Sequence, residues 1–302
     1  MPLGFALATA LIAFANGDPA GDSESGTQRR MYGHLVIVGG GPPVAEIYER
    51  TLQIAGGAGA QILIVPHASP DPRAGEKSAD LWRSYGATDI RILDLANADA
   101  AHQSIEQADL IWFRGGEQER LMSALQDAGV VEAIRARHAQ GKTIGGTSAG
   151  AAVMSQTMIT RSAGRRGTPE ANVPVTGQGL GLWPAVIVDQ HFLKRKRQER
   201  LKSAVLTHPT LVGIGIEEST AIFVNGGEFE VVGAGPVTIY DARATTSPAP
   251  EAQTSGPGDL ASPTQTLVSR TLTAGARFRL DGGTVVDPQP EPGATSGAAQ
   301  AP

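Results

Sequence analysis

The chain has 302 residues, enough to bury a full core, with 38 glycines and 20 prolines unevenly placed along it. A formal net charge of −5 supplies no global basic field for nucleic acid. The absence of cysteine excludes disulfides, thiolate metal sites and a cysteine nucleophile together, and leaves the fold indifferent to redox compartment.

In chain order, Leu3 to Ala15 come first, an uncharged apolar run too short to span a bilayer as a helix. It ends in Ala13-Phe14-Ala15, a small-x-small pattern like a signal-peptidase site, although no Lys or Arg precedes it. These features predict an export signal and a secreted or periplasmic protein, against the alternative of a disordered Ala-rich terminus. Residues 16–30 read as a flexible linker, so that 1–30 precede the folded part.

From His34 the pattern changes. "HLVIVGGG" is a buried-strand run ending in glycines, and Val44 to Ile54 reads helical. "QILIVPHAS", "DIRILDL" and "ADLIWFRGG" are further strands, separated by the helical "EKSADLWRSYGA" and by polar connections. "ERLMSALQDAGVVEAIRARHAQG" is helical with a break at Gly129, and "KTIGGTSAG" is a strand running into "AAVMSQ", the start of a helix. Strands that are apolar on both faces and alternate with helices predict an α/β fold, a mostly parallel sheet covered on both sides.

Beyond about residue 160 the texture shifts. Residues 161–181 read as a glycine- and arginine-rich loop, 185–192 as a strand, and 193–209 as a basic helix ended by Pro209. Residues 211–242 read as antiparallel strands with a hairpin turn at Asn225-Gly226-Gly227, and 266–286 as a last strand pair. Residues 245–263 are a low-complexity insertion, and the segment 288–302 has the composition of a disordered tail. One α/β domain over 31–287 is the expected organisation.

The chemistry concentrates in four places. Gly146-Thr147-Ser148-Ala149-Gly150 fits G-x-S-x-G between a strand and a helix, the context of a nucleophile elbow. There the Ser148 hydroxyl stands at the sheet mouth, and the Ala149 amide at the helix start can donate to an oxyanion. A bare packing turn is the plainer reading of the same residues. Of six histidines, His191 ends a strand on the edge where open α/β sheets gather their sites, which makes it the candidate general base. His67 follows a strand in a polar loop, while His102, His138 and His208 read as surface residues. "FRGGEQERL" again runs strand, two glycines, helix, so that Gly115 and Gly116 offer amides and Glu117 and Gln118 crown the edge. Finally Lys194, Arg195, Lys196, Arg197 and Arg200 cluster directly after His191 in an acidic chain. A solvated helix face is the bland reading. Bidentate capture of substrate carboxylates is the functional one. No His/Asp/Glu group has metal-ligand spacing, and no metal or other cofactor is called for.

Together "VGGG", "RGGEQ", "GGTSAGA", "DQHF" followed by R-x-R-x-x-R, and "GIGIEESTA" resemble the cyanophycinase branch of the S51 serine peptidases, over about residues 33–242. Its sibling branch is the aspartyl dipeptidase (peptidase E) group. The resemblance implies a flavodoxin-like α/β domain related to class I glutamine amidotransferases, with serine in place of their cysteine. It implies Ser148 as nucleophile, His191 as base, and Gly116 and Ala149 as oxyanion donors. It also implies that Gln118, Asp189, Gln190, Arg195, Arg197 and Arg200 belong to the substrate pocket. The triad acid of the family lies in a loop between serine and histidine. The one carboxylate of that loop here is Glu170, taken as the acid, with Glu217 and Glu218 as rivals.

The substrate implied is cyanophycin, a poly-aspartate backbone carrying arginine on each β-carboxyl, hydrolysed through an acyl-enzyme to β-aspartyl-arginine dipeptides. On that reading the arginines hold a substrate carboxylate, and Asp189 or Glu117 meets the substrate guanidinium. The alternatives are a peptidase E-like dipeptidase and a non-catalytic secreted binding protein on the same scaffold. No nucleic-acid partner and no stable membrane span are expected, and a homodimer is left open as an assembly.

Overall fold

A computed structural model describes residues 32–165, 168–243, 266–281 and 283–286. The apolar leader and linker, the low-complexity insertion and the C-terminal tail lie outside the described residues.

The first half alternates strands and helices: β1 (Leu35–Val38), α1 (Ala45–Ala55), β2 (Gln61–Val65), α2 (Ala74–Ser84), β3 (Asp89–Ile92), α3 (Ala98–Gln107) and β4 (Leu110–Phe113). There follow α4 (Gln118–Asp127), α5 (Val131–Ala139), β5 (Thr143–Thr147), the short α6 (Ala149–Ala152), β6 (Thr157–Ser162) and β7 (Pro174–Gln178). Next come β8 (Val186–Gln190), α7 (Gln198–Thr207), β9 (Val212–Ile216), β10 (Thr220–Asn225), β11 (Glu228–Gly233) and β12 (Val237–Asp241). The last strands are β13 (Val268–Leu272), β14 (Arg277–Arg279) and β15 (Thr284–Val286).

Among the described residues, nine strands form a central sheet in the order β15-β14-β11-β10-β1-β5-β4-β2-β3. From β1 to β3 every pairing is parallel; from β1 outward through β10 every pairing is antiparallel. The parallel half is apolar on both faces, as two-sided burial requires. Leu35 and Ile37 face one core with α3 to α6, while Val36 and Val38 face the other with α1 and α2. In the second core Tyr48, Trp82 and Trp112 interlock, Trp82 standing edge-on to Trp112 at 5.0 Å between ring centroids. No helix among the described residues is long and apolar enough to cross a membrane.

Four departures from the sequence reading matter for the site. Strand β8 does not join the central sheet: it pairs parallel with β9 in a second, four-stranded sheet, β13-β12-β9-β8. That sheet shares a core with α6 on one face, and α7 covers the other through Leu201, Ala204 and Val205. The span 161–181, read as a loop, holds strand at two places: β6 ends at Ser162 and pairs antiparallel with β7, Pro174–Gln178. The basic helix starts only at Gln198, because Lys196 takes a left-handed φ of 52° and the chain turns before it. Last, His138 is buried, its Nε2 2.8 Å from the Gly33 carbonyl, and burial pushes its pKa down.

Candidate active site

The elbow forms where β5 ends. Ser148 has φ 57° and ψ −112°, a sparsely populated conformation for a residue with a Cβ, and its amide donates to the Val38 carbonyl on the neighbouring β1. Helix α6 starts at the next residue, and the carbonyl of Ser148 accepts from the amides of Ala151 and Ala152. The hydroxyl is thereby held at the carboxyl edge of the parallel strands, partly exposed.

Opposite stands His191, at the end of β8 and also left-handed, with φ 48°. Its amide donates to the Gly39 carbonyl at 2.7 Å, so the glycine turn after β1 ties the second sheet to the first. That turn must be glycine for a steric reason. A Cβ on Gly40 would lie 2.4 Å from Cε1 of the His191 ring, at a φ of +95°.

The imidazole bridges two groups. Its Nδ1 lies 2.6 Å from Oε1 of Glu218, and its Nε2 lies 2.9 Å from Oγ of Ser148. A carboxylate can only accept, so Nδ1 carries the proton and Nε2 is left to accept from the serine hydroxyl. The ring is buried, and desolvation pushes its pKa below the ordinary value. The Glu218 hydrogen bond opposes this, and the Arg195 charge adds to it. A neutral imidazole with a free Nε2 lone pair is the form a general base needs.

The carboxylate that meets the imidazole is therefore Glu218 and not Glu170, the residue expected from the sequence. Glu170 sits exposed in a 3-10 turn, Pro169–Asn172, bonded to Thr168, and both imidazole nitrogens are already engaged elsewhere. "GIGIEESTA" supplies the partner instead, in a short connection between β9 of the second sheet and β10 of the central one. Each residue of Glu217-Glu218-Ser219 has a task there. Glu217 Oε2 accepts from the amides of Leu193 (2.5 Å) and Lys194 (3.1 Å), closing the turn after His191. Ser219, at φ 56°, donates its amide to the Gly40 carbonyl and its hydroxyl to the Pro42 carbonyl.

Gly115 adjoins the elbow, where an added Cβ would lie 3.2 Å from Cβ of Ser148; Gly116 follows at φ +153°, where a Cβ would meet the Ala68 carbonyl oxygen at 2.1 Å. Among the described residues neither the Gly116 nor the Ala149 amide has an acceptor. Gln118 is buried, and its Nε2 donates to the carbonyls of Ile159 (2.9 Å) and Thr160 (2.6 Å), fastening β6 to α4.

The basic cluster divides in two. Asp189, only 1 % exposed, accepts from Arg200 through both oxygens and from Arg197 at 3.3 Å. Arg197 also donates to the carbonyl and side-chain oxygens of Gln190, at 2.6 and 2.7 Å. The expectation that Asp189 faces a substrate guanidinium meets a carboxylate already filled by the protein's own arginines. Arg195, by contrast, is exposed, and among the described residues its guanidinium has no partner. Among the same residues no His/Asp/Glu group could hold a metal ion.

The model of peptidase family S51 matches residues 35–232. The chain belongs to that family. A cyanophycinase of Geminocystis herdmanii is 40% identical over 221 residues, which are 70% of this chain and 81% of that one. A peptidase E of Actinobacillus pleuropneumoniae is 24% identical over 193 residues, 61% of this chain and 80% of the other. Among solved structures, a peptidase from an acI-B1 Actinobacterium matches with a TM-score of 0.59 and 24% identity, covering 83% of this chain and 98% of its own. The S51 chain described here is a serine-type peptidase with a mixed α/β fold around a large, mostly parallel central sheet.

Proposed function

We propose that this S51 peptidase hydrolyses cyanophycin and releases β-aspartyl-arginine dipeptides. The observation that carries the reading is the line Glu218–His191–Ser148 in a chain 40% identical to a cyanophycinase. In the reaction the Ser148 oxygen attacks a backbone carbonyl carbon of the polymer, and its proton passes to His191 Nε2. The Glu218 carboxylate stabilises the imidazolium that results. The amides of Gly116 and Ala149, without an acceptor among the described residues, suit the developing oxyanion. Imidazolium then protonates the leaving amine as the C–N bond breaks, leaving an acyl-serine. Water, deprotonated by the same nitrogen, hydrolyses it.

Arg195 is the arginine of the cluster left, among the described residues, for bidentate capture of a substrate carboxylate, since Arg197 and Arg200 are held by Asp189. Glu117, exposed and without an ion-pair partner among the described residues, is the carboxylate open to the substrate guanidinium. Export, supported by the apolar run of residues 3–15, would place the enzyme beside polymer released from cells.

The test is incubation of the full chain and its Ser148→Ala variant with insoluble cyanophycin, with mass spectrometry of the supernatant. Dipeptide from the parent and none from the variant is the expected result. No dipeptide, with cleavage of aspartyl dipeptides instead, would move the activity to that of the peptidase E relative.

A further inference from the structure

A carboxylate beside a catalytic histidine in an enzyme for arginine-bearing polymer invites the reading of a substrate ligand. The geometry of Asp189 contradicts it. Its Oδ2 accepts from Arg200 Nε at 3.0 Å. Its Oδ1 accepts from Arg200 Nη2, from Arg197 Nη1 at 3.3 Å and from the Gln190 amide at 2.9 Å. A substrate guanidinium needs two of these acceptor positions and a path to them, and Asp189 is only 1 % exposed.

What the cluster holds is informative. Arg197 Nη1 reaches the carbonyl of Gln190, the residue directly before His191, and clamps the Gln190 side chain as well. His191 itself sits in a left-handed conformation that a non-glycine residue keeps only when its surroundings over-determine it. On the other side, Arg200 reaches Ser162 Oγ at 3.4 Å, on the hairpin strand that Gln118 fastens two residues earlier. One buried carboxylate thus organises two arginines, one against the base and one against the pocket wall.

We infer that Asp189 is a positioning residue: through Arg197 it locks the Gln190–His191 turn, and through Arg200 it anchors the β6–β7 hairpin. This deepens the serine-peptidase reading and rests on it, but not on the identity of the polymer. Removing the Asp189 charge leaves the buried Arg200 and the half-buried Arg197 without their counterion, and Arg197 then loses its fixed place against Gln190. The imidazole is displaced relative to Ser148, and every reaction of that serine slows.

The experiment compares the parent with Asp189→Asn and with Arg197→Gln, which keeps the Asp189–Arg200 pair. The readout is the rate at which a small alkyl fluorophosphonate, carrying neither aspartate nor arginine, labels Ser148. Parallel measurements give kcat and KM on the peptide substrate, and a thermal melt checks the fold. Both variants are expected to label about tenfold or more slowly, with kcat falling alongside and KM little changed. Combined, the two substitutions should cost less than the product of the single effects, because they break one network. A folded Asp189→Asn that labels at the parental rate, while KM rises only for arginine-bearing substrate, overturns the inference. Where Asp189→Asn fails to fold, Arg197→Gln decides by the same two outcomes. A parent that labels yet releases no dipeptide from cyanophycin counts against the proposed substrate alone.

Discussion

Glu218 lies 27 residues beyond His191 in the chain and on a different connection, yet its Oε1 meets His191 Nδ1 at 2.6 Å. The contact joins the end of β8, in the second sheet, to the link between β9 and β10, where the chain leaves that sheet for the central one. The carboxylate on the imidazole thus comes from the joint between sheets, and the serine from the edge of the central one.

Glu218→Gln should therefore lower kcat by about 10⁴-fold, since an amide at Nδ1 can favour the wrong imidazole tautomer. Glu170→Gln, on an exposed turn, should leave kcat at the parental value. Steady-state kinetics of the two variants on one substrate decide between them: an inactive Glu170→Gln beside an active Glu218→Gln would reverse the assignment.

The pH profile follows from the environment of His191. Desolvation, with the positive charge of Arg195, holds its pKa below the ordinary imidazole value. Proton uptake removes the base, so the acid limb of kcat/KM should fall below about 6.5, the value of an unperturbed histidine. Arg195→Ala removes one cause of the depression, and the limb should move toward higher pH. Glu218→Gln removes the group that opposes it, and the residual activity should show a limb shifted to lower pH. An Arg195→Ala limb at unchanged or lower pH would contradict this picture.

How far the residues could be read in advance follows from what each depends on. Most of the parallel half was legible because "LVIV", "QILIV" and "LIWF" are apolar and buried on both faces; the edge strand β3 has no buried residue, and the polar segment before β4 gave no sign of α3. The elbow was legible because its small residues are contiguous. The acid was not. Glu217 and Glu218 are adjacent and chemically identical, and only the turn at Ser219 sends one to the imidazole and the other to the amides of Leu193 and Lys194. The second sheet was equally hidden, since "VIVDQ" pairs with "VGIGI" across a helix and nothing local says which sheet they join. The signal that could have found Glu218 was its company: two carboxylates fixed beside a serine in a motif otherwise apolar and glycine-rich.

Gly40→Ala tests whether the first glycine turn is part of the machinery. The new Cβ would fall 2.4 Å from Cε1 and 2.5 Å from Nε2 of the imidazole, so the ring must move, and the backbone φ of +95° resists any side chain. A displacement near 1 Å costs about 10²-fold in rate, and kcat should drop by that order. The melting temperature should fall only modestly, because the substitution lies at the rim of the sheet. Gly57→Ala makes the control: it is also left-handed, at φ +86°, but meets no atom within 4 Å, and should retain activity. Equal kinetics for the two variants would show that the contact with His191 is not what the glycine protects.

Glu117 carries the last prediction. Asp189 is saturated by arginine, Glu218 by the imidazole, and one oxygen of Glu217 by two amides. Glu117, exposed one residue after Gly116, has both oxygens uncommitted among the described residues and is the nearest such carboxylate in sequence to that glycine. An exposed ion pair with a guanidinium is screened, so its contribution is modest, about 1 kcal/mol or a little more when bidentate. Glu117→Gln should accordingly raise KM for an arginine-bearing peptide about five- to tenfold, with kcat nearly unchanged, because the contact is the same in ground and transition states. For a peptide in which citrulline replaces arginine, parent and variant should have the same KM. If the variant instead lowers kcat on both peptides alike, Glu117 acts through the neighbouring Gly116 amide and not on the substrate side chain.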